Sequence, residues 1–146
     1  MGPAFVVRAE SEIDAPRAEV WDVLVDFGRY PEWNPFTPEV RTRLEPGAPV
    51  DMRVVLWTGV RDQREVVREV VPGERLCWGM HMGAPWLVSG ERCQWLEPLP
   101  GGRTRYVTED RIAGVLAPLV LLLYGLSMQR GFDGVARGLK ARCERG

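Results

Sequence analysis

Hydrophobic and polar residues alternate along much of this 146-residue chain, with the two-residue period of strands that bury one face. In the first such stretch, Val7, Ala9 and Ile13 lie on one side, while Arg8 and Glu12 lie on the other. Proline and glycine separate several of these stretches, as tight turns require. We place seven strands at residues 5–13, 39–44 and 50–56 and at about 61–71, 75–82, 87–97 and 103–112. Their order predicts an antiparallel meander.

Apolar residues that recur every three or four positions predict helices at two other places. One region follows the first strand, where Asp14 is expected to cap a short helix and Gly28 to end it, before an aromatic turn with Tyr30 and Trp33. The other is a long helix from about Pro118 to Glu144. The residues that we expect to face inward on the long helix are Leu119, Leu122, Leu123, Leu126, Phe132, Val135, Ala136, Leu139 and Cys143.

Four glycines interrupt the long helix, at Gly125, Gly131, Gly134 and Gly138. Each costs about 1 kcal/mol relative to alanine in a helix interior. Two interpretations are open: the glycines let the helix approach the sheet closely, or some of them leave room for a ligand.

No charged residue occurs in the eighteen positions from Ile112 to Gln129. A helix that spans a membrane needs about 20 predominantly apolar residues, and this run only reaches the lower limit while including Gly114 and Pro118. We therefore expect a buried helix rather than a membrane span, and contact of residues 112–129 with a membrane surface stays open.

Nineteen basic residues nearly cancel twenty acidic ones, so we expect no binding of nucleic acid. Cys77, Cys93 and Cys143 are odd in number and widely spaced, which argues against a disulfide framework and favours a reducing cytoplasm. The only histidine, His81, should face away from Met80 and its neighbours, so no Ser-His-Asp set forms. With no histidine cluster and no phosphate-binding glycine motif, we expect neither a metal nor a cofactor.

The segment from Ile13 to Pro35, with the sequence IDAPRAEVWDVLVDFGRYPEWNP, closely resembles the start of SRPBCC domains, which are also described as START-like or polyketide cyclase/dehydrase-like. The likeness continues to the C-terminal helix, so it covers nearly the whole chain. It implies one α+β domain over residues 1–146 with the helix-grip fold. In that fold a curved antiparallel sheet of seven strands wraps around a long C-terminal helix, two short helices follow the first strand, and an internal cavity lies between sheet and helix.

The two strands joined near Gly101 can be sorted by face from the sequence alone. The positions that include Glu91, Glu97, Arg105 and Arg111 carry most of the charge and predict the solvent face. The opposite, inward face then has three expected cross-strand pairs, which are Arg92 with Asp110, Gln94 with Thr108, and Leu96 with Tyr106. Since buried charges need a partner, water or a ligand, Arg92 and Asp110 are either a structural ion pair or the polar end of a cavity.

These strands define a candidate site. Methionine and tryptophan suit a cavity that accepts an irregular apolar ligand, although they also suit an ordinary core. The residues that we expect to contact a ligand are Met52, Val54, Leu56, Trp78, Met80, Arg92, Gln94, Tyr106, Thr108, Asp110, Leu122 and Leu126. If the protein is an enzyme, the candidates for acid-base chemistry are Arg92, Tyr106 and Asp110.

Three functions fit these features. The first is binding of a hydrophobic small molecule, such as a lipid, isoprenoid, quinone or polyketide, without catalysis. The second is an enzyme like a polyketide aromatase/cyclase, and the third is a membrane-associated lipid or quinone chaperone. Binding is favoured over catalysis because the inward polar set contains no evident nucleophile and no histidine. The sequence does not identify the ligand or the oligomeric state.

Overall fold

The computed structural model describes residues 4–145. Its seven strands form one antiparallel sheet in the order β1-β7-β6-β5-β4-β3-β2. The strands are β1 (Ala4–Ile13), β2 (Glu39–Arg41), β3 (Pro49–Leu56), β4 (Gly59–Val71), β5 (Arg75–Met82), β6 (Val88–Leu99) and β7 (Arg103–Ala113). The helices are α1 (Arg17–Leu24), a 3₁₀ helix (Phe27–Glu32) and α2 (Ala117–Glu144). The prediction of seven strands, two short helices after the first strand and a long last helix is confirmed.

The second half of α2 lies against the concave face of the curved sheet and forms the centre of the core. Phe132, Val135 and Leu139 are at most 1% exposed there. The helix is also fixed to β1, because the Ser11 hydroxyl donates a hydrogen bond of 2.9 Å to the Ala136 carbonyl. The second half of α2 is therefore closely packed against the sheet.

The hairpin of β6 and β7 has the predicted register. Arg92 lies opposite Asp110, Gln94 opposite Thr108, and Leu96 opposite Tyr106. Arg92, Gln94 and Thr108 are buried on the concave face. The sorting of this hairpin into an inward and an outward face is therefore confirmed.

The glycines of the second half of α2 meet the aromatic turn after the 3₁₀ helix, not the sheet. A Cβ atom on Gly138 would overlap the carbonyl oxygen of Trp33, and one on Gly134 would lie 2.9 Å from a side-chain atom of Pro35. A Cβ atom on Gly131 would overlap the ring of Phe36. The turn residues thus occupy the space that the missing side chains leave, and no ligand space lies there.

Two predictions about the first helix were wrong. Asp14 does not cap α1, which has Pro16 at its N-cap without a side-chain hydrogen bond. The Asp14 amide instead donates to the carboxylate of Glu144, which ties the first strand to the end of α2. The helix also ends at Leu24, before Gly28, which lies within the 3₁₀ helix.

Cys77 and Cys93 form a disulfide between the neighbouring strands β5 and β6, with their Cα atoms 4.1 Å apart. The argument against disulfides was therefore wrong for these two cysteines, and Cys143 is free. The spacing of 16 residues between them does not predict a disulfide, because only the register of the two strands brings the pair together. The disulfide also removes the argument for a reducing compartment that unpaired cysteines offered.

Among the described residues, no helix is long and apolar enough to cross a membrane.

Candidate functional site

A cavity of about 140 Å³ lies between the sheet and the first half of α2. Its lining reaches the end of the sheet where β3 turns into β4 and β5 turns into β6, with Leu56, Met82 and Val88. The residues that line it are Phe36, Thr37, Met52, Val54, Leu56, Arg61, Gln63, Glu65, Trp78, Met80, His81, Met82, Val88, Ser89, Gly90, Arg92, Asp110, Ile112, Val120, Tyr124, Met128 and Phe132.

Most of the wall is apolar and includes five residues that the alternation predicted. Met52, Val54 and Leu56 line the cavity from β3, and Trp78 and Met80 line it from β5. Residues two apart on a strand point to the same face, which is why the alternation could identify them. Their flexible or flat side chains give a surface that fits apolar ligands of irregular shape.

Arg92 closes the inner end of the cavity and is held from several sides. Its Nε atom donates a hydrogen bond of 3.0 Å to the Thr108 hydroxyl, and its Nη2 atom lies 3.5 Å from the side-chain oxygen of Gln94. The guanidinium also lies over the ring of Phe132, 4.5 Å from its centroid. The side chain is 5% exposed, so the positive charge is fixed at the bottom of an apolar cavity.

Asp110 lines the cavity opposite Arg92 but, among the described residues, forms no ion pair with it, which was one of the two interpretations that the sequence left open. In the described part of the chain, Asp110 Oδ1 is buried without a hydrogen-bond partner, while Arg92 donates to Thr108 and Gln94. Burial raises the pKa of Asp110 to about 6, although the positive charge of Arg92 acts to lower it. An acceptor atom is thus open beside the cavity, and such an atom is costly when nothing binds to it.

Glu65 is a second carboxyl at the site, and the hydrophobic pattern of the sequence did not identify it. It lies on β4, is 9% exposed, and accepts a hydrogen bond of 2.6 Å from Gln63. Burial and then the negative charge of Asp110 raise the pKa of Glu65 to about 7. Polar residues on both faces of β4 hid this position, yet Glu65 pairs with inward-facing Val50, so the β3–β4 register would have placed it.

Three predicted contact residues lie behind the wall instead of lining it. Thr108 and Gln94 hold Arg92, and the Tyr106 hydroxyl donates to the same oxygen of Gln94. Tyr106 is fully buried, and burial raises the pKa of its hydroxyl. These residues position Arg92, so Tyr106 has no access to a molecule in the cavity.

Leu122 and Leu126 do not face the cavity as predicted. They are 82% and 65% exposed, whereas Val120, Tyr124 and Met128 line the cavity from the other side of α2. The first half of this helix is apolar on all sides, so the three-to-four spacing could not identify the inward side.

Exposed apolar side chains lie on the β3–β4 and β5–β6 turns and along the start of α2, which are the segments next to the cavity. We call this set the apolar rim: Trp57, Met82, Trp86, Val115, Leu119, Leu122, Leu123 and Leu126. The segments that carry it are tied together, because Trp57 Nε1 donates to the Leu123 carbonyl and the Val115 amide donates to the Trp86 carbonyl. Contact of residues 112–129 with a membrane, which the sequence left open, is not decided by these contacts.

The arrangement can hold an apolar molecule and meet its polar end with two carboxyls and one guanidinium. His81 also lines the cavity, but it is exposed and therefore does not belong to the buried polar end. Within residues 4–145, no group of three histidine, cysteine or carboxylate side chains is placed to bind a metal ion.

The chain is similar to several solved structures along nearly its whole length. An aromatase/cyclase from Streptomyces sp. R1128 has a TM-score of 0.75 at 19% identity, with 98% of this chain and 95% of that chain covered. A protein from Thermus thermophilus has a TM-score of 0.75 at 19% identity, with 97% and 98% covered. A norcoclaurine synthase variant from Thalictrum flavum has a TM-score of 0.75 at 12% identity, with 99% and 97% covered. At these identities the likeness shows a shared fold.

No curated protein matches the sequence at a significant level. One family does match, over residues 4–144, and it is described as polyketide cyclase / dehydrase and lipid transport. This match includes every strand and helix of the fold and every residue that lines the cavity. The chain therefore belongs to the polyketide cyclase/dehydrase and lipid transport family, as its resemblance to SRPBCC domains predicted.

Proposed function

We propose that the protein binds a hydrophobic small molecule in the cavity between the sheet and the first half of α2. The observation that carries this proposal is an apolar cavity of about 140 Å³ with a polar inner end, enclosed by a well-packed domain. An apolar cavity of roughly 150 Å³ elsewhere suffices to hold benzene. This volume therefore suits one ring or a short chain of the ligand, and a longer molecule would extend out of the cavity.

Filling the cavity should abolish binding without unfolding the protein. Val54 is 5% exposed and lines the cavity, so the larger side chain of Val54→Phe would occupy ligand space. Its neighbour Val55 is 39% exposed and points the other way, which makes Val55→Phe the matched control. We expect calorimetric titration with 1-octanol to show binding to the wild type and the control, and at least tenfold weaker binding to Val54→Phe. Equal affinity for all three proteins would place the binding elsewhere, and no binding to any of them would contradict the proposal.

A second candidate function is acid-base catalysis on a carbonyl compound, as in a cyclase. The raised pKa values of Glu65 and Asp110 favour it, because a group that titrates near neutral pH can both give and take a proton. Of the residues that the sequence suggested as catalytic, Arg92 and Asp110 line the cavity. Tyr106 does not.

This candidate predicts that the protein accelerates exchange of the acidic protons of a short β-keto thioester in deuterated water. Proton NMR would measure the exchange rate, and Glu65→Gln should lower it at least tenfold. The exposed Glu45 offers the control Glu45→Gln, which should leave it unchanged. An exchange rate equal to that of the buffer alone would exclude this reaction and leave the binding function untouched.

A further inference from the structure

The polar inner end of the cavity has more open hydrogen-bond acceptors than donors. Asp110 Oδ1 is buried without a partner in the described part of the chain, and Glu65 receives its hydrogen bond from Gln63 alone. In contrast, Arg92 already donates from two of its nitrogens and covers the Phe132 ring with its guanidinium. A molecule that satisfies this end must therefore bring donors to it.

The net charge of the inner end also favours a ligand that brings hydrogen-bond donors. Two carboxyls and one guanidinium meet at the inner end, so the ionised site carries an excess negative charge. Arg61 and His81 also line the cavity and Arg68 acts on Glu65, but all three are exposed and cannot neutralise a buried charge effectively. A carboxylate or phosphate entering here would add a further negative charge beside Glu65 and Asp110, which costs free energy in a poorly solvated place.

The side chain of Asp110 lines the cavity and is partly exposed, although its Oδ1 atom is buried. Gly90 lines the cavity on the strand next to Asp110, and a Cβ atom there would lie 3.5 Å from Asp110 Oδ1. That distance is ordinary van der Waals contact, so an alanine would fit and would cover the open oxygen. The absence of a side chain at Gly90 thus leaves one direction of approach to the carboxylate.

From these contacts we infer that the ligand carries a protonated amine, whose N–H groups donate to Asp110 and Glu65 while its hydrocarbon part lies against the methionine and tryptophan wall. This inference rests on the proposed binding function and specifies its ligand class. An ammonium group has three donors and no acceptor, which matches the open acceptors and the excess negative charge.

The site then gives amine binding a defined dependence on pH. The charged groups that act on Glu65 are Asp110 on β7, Arg92 on β6 and Arg68 on β4. Those that act on Asp110 are Arg92 and Glu91, both on β6. A bound cation favours the ionised carboxyls, so it lowers both pKa values and its binding releases protons. Affinity for an amine should therefore fall as pH drops from 8 to 5. A ligand with a carbonyl head should show the reverse, because protonated Glu65 becomes a donor.

The test compares four probes of eight or nine carbon atoms on the full chain: n-octylamine, 1-octanol, 2-nonanone and octanoate. Calorimetric titrations at pH 8 are expected to show n-octylamine binding at least tenfold more tightly than each of the others. Repeating the n-octylamine titration in buffers of different ionisation enthalpy near pH 6.5 should reveal proton release. Tighter binding of octanoate, 2-nonanone or 1-octanol than of n-octylamine would overturn the amine and leave the binding function standing. Failure of all four probes would overturn both.

Variants test whether Asp110 and the space beside it at Gly90 determine the affinity for the amine. Asp110→Asn and Gly90→Ala should each weaken n-octylamine binding at least fivefold more than they weaken 1-octanol binding. Asp62 is a surface carboxylate with a side chain 86% exposed, so Asp62→Asn is a charge-matched control that should change neither. Circular dichroism would confirm that each variant is folded. Unchanged amine affinity in folded Asp110→Asn would contradict the inference.

Discussion

Replacing Glu65 with glutamine should stabilise the ligand-free protein at pH 8 by on the order of 3 kcal/mol. Burial raises the pKa of this carboxyl from 4.5 to about 7, which means that the folded state holds the ionised form at a free-energy cost. Glutamine keeps the shape and the acceptor for Gln63 but carries no charge. For a chain of this length, the expected gain corresponds to a midpoint of thermal unfolding that is roughly 5–10 °C higher.

The sign of the pH dependence follows from the direction of that pKa. Because the folded state binds the proton more strongly than the unfolded state, the contribution of Glu65 to wild-type stability is fully present below about pH 4.5 and is lost as pH rises through 7. The advantage of Glu65→Gln should therefore appear between these values and vanish near pH 4. Chemical denaturation at pH 4, 6 and 8 measures it, with the exposed-site variant Glu45→Gln as the control. An equal effect of Glu65→Gln at all three pH values would show that Glu65 is not held ionised in a buried place.

Placing an alanine at Gly138 should destabilise the fold by about 3 kcal/mol, a cost at the upper end for overpacking. The added Cβ atom would overlap the backbone carbonyl of Trp33, which cannot rotate away as a side chain can. Either α2 or the aromatic turn must then move, and Trp33 is one of the buried residues that join this turn to the core. Thermal and denaturant unfolding would record the loss.

Gly125 provides the matched control in the same helix. A Cβ atom there would lie 3.5 Å from the Leu121 side chain, in ordinary contact. Because alanine is about 1 kcal/mol better than glycine in a helix interior, Gly125→Ala should raise stability by about that amount. Opposite signs for the two variants would confirm that contact with the turn, and not helix propensity, keeps glycine at position 138. A Gly138→Ala variant as stable as Gly125→Ala would contradict the close packing.

Much of the site was predictable wherever a strand pairs with its neighbour across a short turn. The turn near Gly101 fixes the register of β6 and β7, so the positions of Arg92 and Asp110 followed from counting residues. What counting could not supply was the direction of the Arg92 guanidinium. The guanidinium donates to Thr108 and Gln94, and Asp110 Oδ1 has no hydrogen-bond partner among the described residues.

The inward side of α2 was the largest error, and its cause is the composition of the helix. Leucines at 119, 122, 123 and 126 continue the apolar stripe of the second half, but they are exposed at the apolar rim. A stripe is informative only when the remaining positions are polar, and residues 112–129 contain no charge that marks the outer side.

The sequence by itself determined the strands, their faces and the long last helix, because alternation, turn residues and helical spacing act between neighbours in the chain. It also placed an apolar wall and a polar end on the concave face. Only the tertiary structure decided that Glu65 is buried beside Asp110, that Cys77 reaches Cys93, and which side of α2 closes the cavity. These features depend on contacts between segments far apart in the chain, and such contacts are selected by packing of the whole domain.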